Sequence, residues 1–413
     1  MFRKTFLVVV LVSFAGWAGY VLGQRQARLV FKNFKPAIVA NQLPTVASGV
    51  READFAHFWE VWNKVSELYV DKAKLDASKM VDGAIAGMVS AIGDPYTAYF
   101  TQEQNKSWKE DISGAFEGVG IQLGYKESRL VVQTPLDGTP AKRAGVRSGD
   151  LILRIVDEKN KIDRATTGIT IQEAVKIIRG PKGSEIKLTL FREGDDKPFD
   201  VTLVRDTIVV KSVTLQFLED DQYAWLKMSQ FGDRTQEEWG VAISDIQAKA
   251  ATGQFKGVVL DLRNNPGGYL DGAVYLAGEF LQAGKVIVSR QEGGGSQFDY
   301  KVSRNGNLLK MPLVVLVNGG SASAAEIMSG ALADHGRAKI VGEKSFGKGS
   351  VQQPEDFTDG SSVHVTIAKW LRPNGEWIDK VGITPDYVVE WDNGDTTGDW
   401  KNDPQLVKAV ELL

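Results

Sequence analysis

The sequence predicts a multidomain α/β (α+β) protein, on three observations. After residue 208, two apolar runs, Gly257–Leu262 (GVVLDL) and Pro312–Val317 (PLVVLV), each lead through a loop containing glycine into a helical pattern. Runs of that kind suit strands buried on both faces in a layered α/β sheet. Between about 113 and 207, short alternating strands surround a single helical pattern, and before 112 the periodicity is helical only.

Arg3 and Lys4 precede an apolar run from Phe6 to Leu22, with Gln24, Arg25 and Arg28 after it. A basic start followed by a hydrophobic stretch is an export signal. No A-x-A site follows the run, which is just long enough for a short spanning helix, so residues 1–24 are expected to stay as an uncleaved anchor. Residues 25–50 hold two prolines and no long period and read as a linker. From Asp54 to about Leu68, Phe55, Phe58, Trp59, Trp62 and Val65 recur at helical spacing. A second helical pattern, Ser78–Ile92, stops at Gly93-Asp94-Pro95. In the middle segment, strands are expected at Arg129–Gln133, Leu151–Val156, Glu185–Phe191 and Phe199–Val204, with a helix at Ile171–Arg179. Beyond 208, helices are expected at Gly272–Leu281 and from Ser323 to Leu332, each following one of the two apolar strands. Ligands in such sheets sit beyond the carboxyl ends of the strands.

Composition excludes several function classes. The chain has 413 residues, 52 acidic against 49 Lys+Arg, and a net charge of -3, which offers a nucleic-acid partner no electrostatic handle. With no cysteine, thiol catalysis, cysteine-held metals and disulfides are all excluded. Only three histidines exist, His57, His335 and His364, so a multi-histidine metal site is not expected. Glycine is in excess, 43 residues or about 10% against a usual ~7%, as close backbone approaches around a binding site require.

Three stretches carry candidate chemistry: Asp261–Gly268 (DLRNNPGG), Asn318–Glu326 (NGGSASAAE) and Gly342–Gln353 (GEKSFGKGSVQQ). Ser323 falls where a strand-end loop meets a helix start, where its hydroxyl is exposed and following N–H groups, beginning with Ala324, point outward unsatisfied. Those donors suit a developing oxyanion. Ser323-x-x-Glu326 is also a capping box, and on that stretch alone the cap is the favoured reading. A nucleophilic serine needs a base. G-x-S-x-G is absent and no histidine stands in a recognisable catalytic motif, whereas Lys348, flanked by Gly347 and Gly349, can serve if burial lowers its pKa. Pro266-Gly267-Gly268 makes a turn with unobstructed amides that can supply a second oxyanion donor. Gly342 to Lys348 also approaches a phosphate-binding G-x-x-x-x-G-K loop, but Gly349 stands where Ser or Thr must hold magnesium, and no helix follows.

Together the three stretches resemble the carboxyl-terminal processing (tail-specific) serine peptidases of the S41 type, whose pattern is D-L-R-x-N-x-G-G, then N-x-G-S-A-S-A-S-E, then G-x-x-x-F-G-K-G-x-V-Q. The resemblance covers about residues 54–390. It implies a crotonase/ClpP-like peptidase core with Ser323 as nucleophile, Lys348 as base, Gln352 orienting the lysine, and Ala324 with Gly267 and Gly268 as oxyanion hole. Ala325 stands where the family commonly has serine. The segment Gly138–Gly145, with Gly149-Asp150 and Ile152-x-x-Ile155, resembles a PDZ domain, which implies that Gly118-Val119-Gly120-Ile121 receives a peptide carboxylate. Asp157–Asp163 replaces the family's usual short turn. Arg179 matches an arginine that latches PDZ position to active-site order in related enzymes, and is equally a cation at a helix C-terminus.

The expected organisation is therefore an anchor (1–24), a linker (25–50), an N-terminal helical region (51–112), an inserted PDZ domain (113–207), a Ser–Lys peptidase core (208–392) and a C-terminal tail (393–413). The expected function is an extracytoplasmic serine endopeptidase, held at the cytoplasmic membrane, that recognises protein C-termini and cleaves near them, with a dimer as the candidate oligomer, without metal, cofactor or nucleic acid. The rivals are a non-catalytic PDZ-bearing binding protein on a peptidase-like fold, which intact Ser323, Lys348 and Gln352 argue against, and a crotonase-like acyl-CoA enzyme, in which a PDZ insertion has no purpose.

Overall fold

In the computed structural model, residues 27–32, 35–40, 55–391 and 400–413 are described. The apolar run expected to anchor the chain lies outside them. Two compact units part after Ala77. The first contains β1 (Ala27–Lys32) paired antiparallel with β2 (Lys35–Ala40), and α1 (Ala56–Leu68). The hairpin occupies part of the stretch expected to be a plain linker. Its strands, ARLVFK and KPAIVA, do not alternate apolar and polar residues, so they carry no strand period. The second unit opens with α2 (Ala77–Ser90), β3 (Ala98–Phe100) and α3 (Gln102–Ser113). Thr101 and Gln104 form a full capping box that starts α3, and left-handed Gly114 ends it.

The middle segment enters through β4 (Ala115–Gly118) and continues as β5 (Ile121–Lys126), β6 (Arg129–Pro135), α4 (Pro140–Arg143), β7 (Leu151–Asp157), β8 (Ile162–Ala165), α5 (Ile171–Ile178), β9 (Glu185–Phe191) and β10 (Phe199–Val204). It leaves through β11 (Asp206–Val209), which pairs antiparallel with β4, so the module is inserted on a two-stranded stem. The sheet order is β10-β9-β7-β6-β5 with β8 on β7, leaving β5 at an edge. Alternation explains the packing: Ile186, Leu188 and Leu190 of β9 are buried while their neighbours are not. All four strands expected here form, and the helix ends one residue early because Arg179 is already extended.

The remaining elements are β12 (Val213–Leu218), β13 (Tyr223–Met228), α6 (Thr235–Ala250), β14 (Gly257–Asp261), α7 (Leu270–Ala277), β15 (Val286–Glu292), β16 (Gln297–Lys301), β17 (Leu313–Val317), α8 (Ala324–Asp334), β18 (Lys339–Gly342), β19 (Ser350–Asp356), β20 (Ser362–Leu371), β21 (Tyr387–Val388) and α9 (Pro404–Glu411). They build a sheet ordered β12-β13-β14-β17-β18-β21, parallel except for β12. Strands β14 and β17 are buried throughout, which explains their unbroken apolar sequences. Val258, Leu260, Val315 and Val317 pack with residues of α6, α7 and α8, whereas Val259, Val314 and Leu316 pack with Leu406, Ala409 and Val410 of α9. Part of the segment expected to be a tail is thus a helix bound to the sheet. Asp403 accepts the first amides of α9, and its apolar residues recur at helical spacing. A second sheet, β16-β15-β20-β19, takes β3 alongside β20 and is antiparallel.

Candidate active site

The loops after β14, β17 and β18 converge at the carboxyl ends of the parallel strands. The Asn264 amide N–H donates to Asn318 Oδ1 (2.8 Å), and Asn318 Nδ2 returns a bond to Asn264 Oδ1 (3.0 Å). The Ala322 N–H donates to the Asn265 carbonyl (2.9 Å) and the Phe346 N–H to the Ser321 carbonyl (3.0 Å). Each of the three motif stretches is therefore bonded to another.

Ser323 precedes α8 with φ 53° and ψ -115°. A non-glycine residue held there costs on the order of 1–3 kcal/mol, and such strain places a side chain on a sharp strand-to-helix turn. The carboxylate of Glu326, wholly buried, organises the neighbourhood. Its Oε2 accepts the Ser323 N–H (2.9 Å) and the Lys348 N–H (2.8 Å), so those two nitrogens lie at most 5.7 Å apart. Its Oε1 accepts the Ser345 hydroxyl (2.6 Å) and the Gly347 N–H (2.6 Å). Glu326, noticed in the sequence only as the far end of a capping box, thus joins the Ser323 turn to the lysine loop.

Burial pushes the Lys348 ammonium below the ordinary lysine value, and Glu326 opposes that shift. The Tyr96 ring lies 5.5 Å from Nζ. The flanking glycines are needed: a Cβ on Gly349 would fall 2.1 Å from the Asp379 nitrogen, and one on Gly347 would fall 3.0 Å from Lys380. Gln352 sends Nε2 to Ser350 Oγ (2.7 Å) and Thr366 Oγ1 (3.3 Å) rather than to Lys348. No histidine takes the base position. His335 meets the Val286 carbonyl (2.7 Å), and His364 lies between Phe100 (4.4 Å, tilted) and Trp108 (4.6 Å, edge-to-face). His57 is exposed on α1.

Among the described residues, the N–H groups of Ala324 and Gly268 have no protein acceptor. Gly267 differs, because its N–H donates to Asn265 Oδ1 (2.9 Å). Its missing side chain still matters: a Cβ there would lie 2.8 Å from Ser323 Cβ and 3.0 Å from the Ala324 nitrogen. The geometry therefore splits the glycine pair, Gly268 keeping a free donor and Gly267 keeping the space open. A cavity of about 630 Å³ opens beside the lysine loop, lined by Tyr96, Ser350, Ile367, Trp377 and Asp379 among others. Among the described residues no cluster of acidic and histidine side chains is placed to hold a metal ion.

Arg263, two residues after Asp261, is buried beneath this site. Burial works against ionisation of Asp261, but the charge and hydrogen bonds of Arg263 hold its carboxyl below the ordinary value. In the middle module, Val119 is buried and its carbonyl accepts the Ala141 N–H (2.9 Å). Gly120 has φ 75° and accepts the Leu136 N–H (2.9 Å), and its lack of a Cβ admits Thr139, which would otherwise be 2.3 Å away. With the carbonyls so engaged, the N–H groups of Val119 and Gly120 have no acceptor among the described residues. Gly118 ends the stem strand and Ile121 begins the edge strand β5. Arg179 stacks on Phe116 (4.4 Å) and pairs with Glu110 (3.1 Å) and Asp111 (3.7 Å) of α3, not with the residues around Ser323.

A parallel-sheet core with a strained serine beside free amides and a half-buried lysine, carrying a PDZ insertion, defines a class of serine hydrolase acting on peptides. Residues 222–389 match Peptidase family S41, residues 118–203 match PDZ domain, and residues 22–104 match the Activating protease CtpB N-terminal domain. The chain is 36% identical over 378 residues to the carboxy-terminal processing protease CtpA of Bacillus subtilis (strain 168), covering 89% of this chain and 78% of that one. It is 39% identical over 365 residues to the carboxy-terminal-processing protease of Bartonella bacilliformis, covering 87% and 81%. A solved structure of an S41 protease from Bacteroides fragilis NCTC 9343 superposes with a TM-score of 0.54 at 17% identity, over 80% of this chain and 89% of that one, and shares the fold. The chain belongs to the S41 carboxy-terminal processing serine peptidases.

Proposed function

We propose that the chain is an extracytoplasmic endopeptidase that captures protein C-termini on its PDZ module and cleaves through a Ser323–Lys348 acyl-enzyme. The observation that carries this reading is the single Glu326 oxygen accepting the backbone N–H of both Ser323 and Lys348. In the proposed cycle, Ser323 Oγ attacks the scissile carbonyl while neutral Lys348 takes its proton. The tetrahedral oxyanion is met by the Ala324 and Gly268 amides, which cost no reorganisation during the reaction. Lys348 then returns the proton to the leaving amine, and water hydrolyses the ester by the same route. Gln352, bonded to Ser350 and Thr366, is given no step in this cycle. The free amides of Val119 and Gly120, beside the open edge of β5, support carboxylate capture with the substrate added as a strand. The basic residues and apolar run before residue 25 support export and a membrane anchor. No helix among the described residues is long and apolar enough to cross a membrane, and that run lies outside them.

The test is to incubate the purified protein with an unfolded polypeptide and identify the products by mass spectrometry beside Ser323→Ala. New peptides from the wild type alone support the reading. Equal products from both proteins would overturn it. Fractionation of expressing cells tests location, a soluble cytoplasmic protein being the contrary result.

A further inference from the structure

The first turn of α9 is bonded to the roots of two active-site loops. The Arg263 guanidinium donates four hydrogen bonds and makes one further close ion pair. Nε and Nη2 donate to Asp261 (2.9 and 2.7 Å), Nη1 donates to Asp403 Oδ1 (3.1 Å) and Gln405 Oε1 (2.9 Å), and Nη2 also meets Asp403 Oδ2 (2.8 Å). Asp403 at the same time accepts the N–H groups of Gln405 and Leu406, 3.0 Å each, as the cap of α9. Gln405 turns its other end the opposite way, donating Nε2 to the Val389 carbonyl (2.7 Å) and toward Glu343 Oε1 (3.5 Å). Arg263 belongs to the stretch that ends in Gly268, and Glu343 to the stretch that carries Lys348. One helical turn therefore holds the oxyanion side and the base side together.

Docking alone does not require this polar arrangement. Leu406, Ala409 and Val410 already bury the apolar face of α9 on the sheet. A buried ion network is a poor source of stability compared with apolar packing of similar size, but its hydrogen bonds have defined directions. We propose that α9 is a positioning element of the active site, in which Asp403 and Gln405 are positioning residues that set the Asp261–Gly268 loop against the Gly342–Gly349 loop. This rests on the Ser323–Lys348 reading. A misplacement of about 1 Å between catalytic groups can cost 10²-fold in rate, so even partial loosening should be visible.

The experiment compares full-length wild type, Gln405→Leu, Asp403→Asn and Ser323→Ala on a short peptide, below the melting temperature of each. For Gln405→Leu, which leaves the helix cap intact, kcat should fall about tenfold or more while KM stays within about twofold. Affinity for a peptide boronate, which mimics the oxyanion, should fall in step with kcat. Asp403→Asn, which keeps a capping oxygen but removes the charge facing Arg263, should lose kcat in the same way; if it does not fold, Gln405→Leu decides. Wild-type kcat and boronate affinity in Gln405→Leu, beside an inert Ser323→Ala, would overturn the positioning role alone and leave α9 a structural staple. Turnover by Ser323→Ala would overturn the catalytic reading and this proposal with it.

Discussion

The proposed nucleophile role of Ser323 and a plain capping role separate on mutation. As a nucleophile its loss removes turnover, whereas as a plain helix cap its loss would cost about 1 kcal/mol of stability and no chemistry. Because Glu326 receives the Ser323 backbone N–H, Ser323→Ala keeps that bond. Ser323→Ala and Lys348→Ala should each lower kcat beyond about 10³-fold with thermal unfolding nearly unchanged, measured by peptide turnover and calorimetry. Near-normal turnover by Lys348→Ala would remove the dyad. The pH dependence follows from the burial of Lys348. A lysine base works only when deprotonated, and burial lowers its pKa from the ordinary ~10.4, so kcat/KM should rise with pH to a plateau entered below that value. A profile that falls through the same range would contradict a lysine base. Gly267→Ala should also be inactive, since its methyl would sit 2.8 Å from Ser323 Cβ at φ 103°, and should melt lower than wild type. These roles were legible to different degrees. Ser323, Lys348 and the glycine turn stood out by motif, whereas the burial of Glu326 and the commitment of the Gly267 amide depend on how loops distant in sequence fold together.

At the scale of elements, α3 is the strut between the PDZ module and the second, antiparallel sheet. Glu103 pairs with Lys176 of α5 (2.7 Å), Glu110 pairs with Arg179 (3.1 Å), and Asn105 and Lys109 both reach Asp356 of β19 (2.8 and 2.7 Å). Strand β19 begins at Ser350, directly after the lysine loop. Arg179 and Glu110 are half-buried and the arginine also stacks on Phe116, so Arg179→Ala should lower the melting temperature by a few degrees. If Arg179 is a latch, the same variant should change kcat on short peptides that never reach the PDZ groove. Wild-type turnover of such peptides would leave it an ordinary helix-end cation. Little of this was readable beforehand. The segment after Thr101 has no apolar stripe, since α3 is held by charges, and α9 is too short to stand out without the sheet beneath it. The long apolar strands β14 and β17 were plain because full burial leaves an unbroken apolar signature.

The molecule as a whole joins a module suited to binding an extended chain end to a core suited to acyl transfer, and its tests concern substrates. On the proposed capture mode, amidating a substrate's C-terminus would remove charge-assisted hydrogen bonds to the Val119 and Gly120 amides, each contributing about 1.5–3 kcal/mol, so capture should weaken at least tenfold. Equal cleavage of free-acid and amidated forms would remove tail recognition and leave the peptidase intact. EDTA should leave activity unchanged, and restoration by zinc after its loss would point to another mechanism. The most direct test of the central claim is to trap the acyl-enzyme with a slow peptidyl ester, quench in acid and map the modified residue by mass spectrometry. The account predicts one acyl group, on Ser323, formed faster as pH rises and absent from Lys348→Ala. Acylation of another residue, or of Ser323 at the wild-type rate in Lys348→Ala, would contradict it.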